Sequence, residues 1–436
     1  YFSAIRGGII VNPFPYHVSS EEVLSKIKII SPKLLFSHEK HYKTLQESIK
    51  NIKNIDNINN LSLIDHLLKF KSKYTKKKKH FSENTIGALY YSSGTTGKPK
   101  IVEYSNRSMI ENQASMYEAG CFSHNAVHLC VLPLGHTAAL NNSVFHCVLT
   151  GSCVIMYESF WKVRSELWDI VHNYKITYMV VVPTILITIL NTPYDNFSTG
   201  KVKTISFIGC GSALLDKSLQ SKFEKKFKIP VANLYGSSET GATHFDDPFR
   251  RNRETGNIGK LMNNVEGRIY KKGTFTNEEG QEGELCIKSP ALLNGYYNDR
   301  QSYEDCFVDG FFKTGDIVYF DKNKIFYYVD RKKDLIIKGG VNILPSHIDE
   351  VLQSHPCILE AATVGKPDIF FGETIKSYIV LKNDEKITTQ EILTFCKGKL
   401  GPFKTPSDIE FLDKLPKGIS GKILKRELRK KDLKIE

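Results

Sequence analysis

Residues Tyr90 to Lys100 read YYSSGTTGKPK. An apolar stretch leads into Ser92, Ser93, Gly94, Thr95, Thr96, Gly97 and Lys98. Hydroxyls and backbone N–H groups in such a loop can wrap phosphate oxygens, with the Lys98 ammonium adding charge. It is not a Walker A loop, which needs four residues between its glycines and Ser or Thr after its Lys. Here two residues separate Gly94 from Gly97, and Pro99 follows Lys98. Pro99 lacks an N–H and disfavours helix at Lys98, so a mobile loop is expected. Alone, the stretch reads equally well as a surface turn.

Further along, Asn233 to Thr240 read NLYGSSET. Tyr235 offers a ring that can stack on a purine, and Gly236 a tight turn. Ser238 offers a hydroxyl, and Glu239 a carboxylate that can hold Mg²⁺ beside phosphates. Asp309 to Asp316 read DGFFKTGD, ending in a turn carboxylate suited to ribose hydroxyls. Asp330-Arg331 follows, then Gly339-Gly340 inside KGGVNILP, then Ile419-Ser-Gly-Lys422. Taken singly, Glu239 is a surface acid, Asp316 a turn former, Arg331 a surface charge and Lys422 one lysine of many. His136, in LPLGH, is equally a satisfied structural histidine or a site residue.

The elements that must position these residues follow from the apolar pattern. Strand-like runs alternate with helical patterns to about residue 245, for example Gly8–Asn12, Ile86–Tyr91, Val127–Leu132, Tyr178–Val182 and Thr204–Gly209. Ser165–Tyr174 and Leu215–Phe227 read as helices between strands, and Leu61–Phe70 as a further helix. That rhythm predicts an α/β body of parallel, doubly wound sheets covered by helices. From about 256 to 330 short segments separated by Gly, Asn and Asp predict a small antiparallel β unit. After Asp334 a mixed pattern returns, with helices at Ser346–Gln353 and at Thr389–Leu400, the latter N-capped by Thr389.

The length of 436 residues suggests two to three domains at about 150 residues each. A composition of 41% hydrophobic and 25% charged residues excludes collagen-like, coiled-coil and largely disordered chains. No apolar run is long enough for a transmembrane segment. The nine Cys are irregularly spaced and include no CxxC, which excludes a zinc finger or disulfide scaffold and points to a reducing, cytoplasmic setting. The net charge of +13 is concentrated in two places. Lys71 to His80 holds six Lys and no acid; Lys397 to Lys434 holds twelve Lys or Arg against five acids. The first reads as an exposed linker. Neither has the interleaved aromatics of a single-strand nucleic-acid binder, so no nucleic-acid partner is expected.

The conjunction of these motifs, in this order, resembles the adenylate-forming acyl-CoA synthetases. That superfamily includes fatty-acyl-CoA and 4-coumarate-CoA ligases, luciferases and peptide-synthetase adenylation domains. The resemblance spans nearly the whole chain. Ser92 to Lys100 matches the family's phosphate loop, Leu132 to His136 its Pro-x-x-His segment, and Gly209 to Leu214 its adenine-contacting strand end. Tyr235 to Glu239 matches its Tyr-Gly-x-Thr-Glu motif, with Ser238 in place of Thr. Asp316 and Arg331 match its ribose-binding pair. The family also has a segment ahead of the point matching Tyr1, so the chain is expected to begin inside a folded element, N-terminally truncated.

The resemblance implies a large N-terminal AMP-binding domain over 1–331, with a β-barrel subdomain at about 256–330. A small mobile α+β C-terminal domain over 332–436 would follow, with its hinge at Lys333. It implies a carboxylate that attacks ATP to give acyl-AMP and pyrophosphate, then a thiol that takes the acyl group and releases AMP. Lys422 would stabilise the first transition state. Glu239 would hold Mg²⁺, and His136 would sit at the acyl pocket with Ala138, Ala139, Asn142 and Ile208. Asn233, Tyr235, Gly211, Ser212 and Ala213 would surround the nucleotide, and Gly339-Gly340 would line the thiol tunnel. Coenzyme A is the expected acceptor; the alternative is the phosphopantetheine thiol of an acyl carrier protein.

Overall fold

The computed structural model describes residues 1–14, 19–37, 42–43, 45–46, 61–63, 82–92, 100–121, 124–194, 197–382, 385–418 and 422–433. The expected phosphate-loop residues Ser93, Gly94, Thr95, Thr96, Gly97 and Lys98 lie outside them, as does the lysine run at 71–79.

The largest sheet has seven strands. Five are parallel neighbours, in the spatial order Cys153–Met156, Val127–Cys130, Tyr178–Val181, Phe207–Gly211 and Val231–Ser237. Gly241–Phe245 and Lys260–Leu261 extend it antiparallel. All four residues of Tyr178–Val181 are buried, as expected for a central parallel strand covered on both faces. The helices Leu167–Asn173, Pro183–Asn191 and Lys217–Phe227 lie between these strands in the chain. Pro183 opens its helix at the first turn, where a missing N–H costs nothing. Trp168, 1% exposed, packs against Tyr194, Phe197 and Phe227 at the centre of this layer, whereas Trp161 is exposed.

Six antiparallel strands between Glu266 and Arg331 form a second sheet. Their pairings leave Thr274–Thr276 at an edge, so the unit is an open sheet where a small barrel was expected. Its apolar face is already covered: Val318, Phe320 and Phe326 share one buried cluster with Tyr178, Phe207 and Phe245 of the large sheet. A third, antiparallel sheet joins Ile86–Ser92, Lys100–Ser105 and Gly295–Tyr296. Ile86–Tyr91 therefore belongs to a hairpin and not to the parallel rhythm that its sequence suggested.

The C-terminal part has its own five-stranded sheet, covering Ile336–Lys338, Val341–Ile343, Ile358–Asp368, Gly372–Leu381 and Asp408–Phe411. Ile336, Ile348, Leu352, Ile375 and Ile392 build a separate core beneath the helices Pro345–Gln353 and Thr389–Lys404. Asp330 joins this part to the second sheet. Its Oδ2 accepts from Ser346 N at 3.0 Å, and Ser346 Oγ donates to Val329 O at 2.8 Å.

Three local expectations were wrong. Leu61–Leu63 is a strand paired in parallel with Leu35–Ser37, not the start of a helix; its remaining residues lie outside the described ones. Gly8–Asn12 contributes a turn and one bridge, Val11 to Ala88, because the apolar start of the chain is spent on the short helix Phe2–Arg6. The N-cap before Glu391 is Thr388, whose side chain and Glu391 form a reciprocal capping box.

His128, His146 and His244 are 0%, 1% and 0% exposed. Burial holds their pKa values at about 4, 3 and 3, with His128 and His124 adding repulsion at His146. Each ring is thus neutral in the fold, but takes up a proton below about 6.5 once unfolded. The stability they contribute is complete above pH 6.5 and is lost as pH falls toward 4 and 3. The melting temperature should therefore be flat near neutrality and drop steeply through that window. His244→Asn should make the drop shallower, as read by calorimetry across a pH series.

Candidate active site

The cavity of about 870 Å³ lies where the large sheet, the antiparallel sheet and the C-terminal segment meet. Among the described residues nine cationic and three acidic side chains line it, six of the cations from residues 417–430. Half of the twelve cations of the C-terminal tract therefore line the cavity, where a negative substrate would meet them.

The large sheet supplies the floor. At the end of Phe207–Gly211, a Cβ on Gly211 would lie 2.5 Å from the Leu234 carbonyl oxygen, so glycine is required there. Ser212 follows in the left-handed region at φ 66, a strained conformation that clusters at functional sites. Gly211 and Ser212 line the cavity, as do Tyr235, Gly236, Ser237, Ser238 and Glu239 from the next strand and turn. Glu239 is held on both sides. Its N–H donates to Ser237 Oγ at 3.1 Å, and its carbonyl accepts from Leu293 N at 2.8 Å.

Two expected nucleotide contacts are placed elsewhere. Asn233 is 5% exposed and spends its Nδ2 on the Asn257 carbonyl at 3.1 Å, because it precedes the strand's exit from the core. It does not line the cavity, and neither does Ala213. Ala139 and Ile208, expected in the acyl wall, are 0% exposed and face the core instead.

Asp316 and Arg331 are cross-strand partners in the antiparallel sheet. Asp316 is 3% exposed; its Oδ1 meets Arg331 Nε at 2.7 Å and its Oδ2 accepts from the Tyr235 hydroxyl at 2.6 Å. That phenol contact was not foreseen. It locks the Tyr235 ring at the cavity edge, and burial and the Asp316 charge raise the Tyr235 pKa well above its ordinary value.

His136 caps the short helix that starts at Thr137. Its Nδ1 accepts from Ala138 N at 3.2 Å, which puts the ring proton on Nε2. Burial lowers its pKa, so the ring is neutral. The residue thus does both things its sequence context allowed: it fixes a helix start and faces the cavity.

Lys422 lines the cavity, and its Nζ has no hydrogen-bond or ion-pair partner among the described residues. Its neighbours are spoken for: Lys425 pairs with Asp349 at 2.9 Å, Lys417 with Glu360, and Arg429 with Asp334 at 3.4 Å. Burial, reinforced by Arg331, lowers the Lys422 pKa to about 8. Lys333 sits in the 3-10 turn Lys332–Asp334, directly after Arg331. Arg429 grips this turn by donating to the carbonyls of Lys333 at 3.3 Å and Asp334 at 3.1 Å. Gly339 and Gly340 form the tip of the hairpin joining Ile336–Lys338 to Val341–Ile343, at φ 57 and 78, away from the cavity.

Among the described residues no three His, Cys, Asp or Glu side chains converge as a metal cage. Glu239 is one of the three carboxylates lining the cavity among the described residues, and a single such group suits Mg²⁺, an ion usually bound through one or two carboxylates, water and substrate phosphates. No helix among the described residues is long and apolar enough to cross a membrane.

Comparison with known proteins agrees with this geometry. Residues 1–297 match the model of the AMP-binding enzyme family, and residues 347–422 match its C-terminal domain. The chain belongs to the AMP-binding enzyme family. Among curated family members, the sulfoacetate–CoA ligase of Cupriavidus necator is 34% identical over 78% of this chain and 66% of its own length. The chain spans only 62 to 66% of the length of the first curated relatives it matches. Of solved family structures, ATP-bound MatB from Rhodopseudomonas palustris superposes with a TM-score of 0.90 at 23% identity, covering 100% of this chain and 86% of that one. The o-succinylbenzoate CoA synthetase of Bacillus subtilis, in complex with its acyl-adenylate intermediate, gives 0.85 at 26% identity over 98% and 84%.

Proposed function

We propose that this AMP-binding enzyme is an acid–thiol ligase. A carboxylate would attack the α-phosphorus of ATP, giving acyl-AMP and pyrophosphate. The thiol of coenzyme A would then take the acyl group and release AMP. The observation that carries the reading is the unpaired Lys422 ammonium, set in one cavity with Glu239, Tyr235, Arg331 and a neutral His136. An anionic nucleophile approaching a triphosphate needs its repulsion neutralised by preorganised charge. Lys422 supplies a cation that makes no ion pair among the described residues. Glu239 would hold Mg²⁺, which when bound neutralises phosphate charge. Tyr235 would stack on the adenine, with Gly211 and Ser212 at its edge, and the Asp316–Arg331 pair would face the ribose. His136, a donor at Nε2, would orient the acid.

The same reading divides the chain at residue 331, with 332–436 turning about Lys333 between the two half-reactions. Lys422 lines the cavity while Gly339-Gly340 stand outside it, which suits the acid-activating arrangement. The turn would later bring the glycine hairpin to the thiol. The CoA-ligase names of the relatives favour coenzyme A over a carrier protein as acceptor.

Acid-dependent ATP–pyrophosphate exchange across short, long-chain and aromatic acids tests the first step. Adding coenzyme A or holo carrier protein and measuring AMP release tests the second. Exchange without AMP release on adding coenzyme A, but with release on adding holo carrier protein, assigns the carrier as acceptor. Release of ADP in place of AMP would overturn the reading.

A further inference from the structure

The wall of the cavity beside His136 is polar. The helix that His136 caps changes to a π-helical turn over Leu140–Phe145, a rare geometry that is frequent at functional sites. The wider turn brings consecutive side chains closer to one face, and Ala138, Asn141 and Asn142 all line the cavity. Asn141 is 7% exposed, and neither carboxamide has a hydrogen-bond partner among the described residues. Asn112, 2% exposed on the helix Asn106–Glu118, also lines the cavity. Its Nδ2 donates to the Ala242 carbonyl at 3.2 Å, and its buried Oδ1 accepts from no group among the described residues.

The floor beneath these groups is apolar. Val180 and Leu234 line the cavity, yet belong to the packed cluster that holds Tyr178, Phe207 and Phe245. The Tyr178 hydroxyl would sit 2.5 Å from a Cβ on Gly209, so the Tyr178 ring fills the space over that glycine.

We propose that the acid activated here is short and carries a hydrogen-bonding group, a hydroxyl or a second acid group, a few carbons from the activated carboxylate. Asn141, Asn142 and Asn112 would read that group. The proposal rests on the acid-activating function above and narrows its substrate class. An alkyl chain at this wall would leave buried carboxamides unpaired, at a cost of roughly 10- to 100-fold in affinity for each. It would also meet packed side chains at the floor.

The test uses non-hydrolysable acylsulfamoyl adenosines carrying hydroxybutanoyl, succinyl, butanoyl and decanoyl groups, with calorimetric Kd values. The hydroxybutanoyl or succinyl compound should bind roughly 10- to 100-fold tighter than butanoyl, and decanoyl no tighter than butanoyl. Asn141→Leu and Asn142→Leu, similar in volume to the wild type, should each reduce that preference. Equal affinity for polar and plain acyl groups in the wild-type protein, or tightest binding of decanoyl, overturns the proposal without needing a variant. If butanoyl and decanoyl bind but no polar compound does, the acid-activating reading stands and this inference falls. If no compound binds, that reading falls first and takes the inference with it.

Discussion

Lys422→Ala should lower acid-dependent ATP–pyrophosphate exchange by about 100- to 1,000-fold, the usual cost of removing one preorganised charge from a transition state. ATP affinity should change far less, since the cavity keeps its other cations. Thioester formation from acyl-AMP supplied directly should survive, because Lys422 then has no phosphoryl transfer to assist. The pH profile gives an independent check. Burial and Arg331 hold the ammonium near a pKa of about 8, so kcat/KM for exchange should fall above that pH as the charge is lost. Lys422→Arg keeps its charge at any accessible pH, and its residual activity should lack that alkaline limb. An unchanged exchange rate in Lys422→Ala would remove this lysine from the mechanism.

The second large effect is expected at Asp316. Its carboxylate is 3% exposed and serves both Arg331 and the Tyr235 hydroxyl. Asp316→Ala removes one partner of a buried pair, and should cost about 3 kcal/mol or more of folding stability by urea titration. The exchange activity should fall too, because the Tyr235 ring loses its anchor. Asp316→Asn keeps the shape and an acceptor, so it should cost less. Adding Arg331→Met to Asp316→Ala should recover part of the stability but none of the activity. Losses that simply add in the cycle Asp316→Ala, Arg331→Met and the double variant would mean that the pair is not energetically coupled.

Both residues were legible in the sequence because their motifs combine unusual chemistry with fixed spacing. Tyr235 and Lys422 are far apart in the chain, yet both line one cavity, and Asp316, in mid-strand in Phe311–Phe320 and not itself in the lining, is tied to it through Tyr235 and Arg331. Partners were harder to read than positions. Nothing in NLYGSSET shows that Asn233 faces inward while Tyr235 reaches out to a carboxylate on another sheet. Asn233 and Tyr235 are two residues apart and share a face of the strand, so what separates them is where the neighbouring strand stops, at the Gly211–Leu234 pair. Leu61–Leu63 failed for a similar reason: a short apolar run is helix or strand by context, and its context is the Leu35–Ser37 edge. The π-helical turn at Leu140–Phe145 had no sequence signal, since its extra residue is accommodated by tertiary packing.

Trp161 and Trp168 are the chain's two tryptophans, and both belong to helices flanking the parallel strands. Indole emission is therefore a local thermometer, reporting the melting of that layer and silent on the five-stranded C-terminal sheet. Far-ultraviolet circular dichroism averages over both. Coincident urea curves from the two signals would mean that the chain unfolds as one cooperative unit. Curves that separate would show that the part carrying Lys422 melts on its own, while the fluorescence still reports an intact protein.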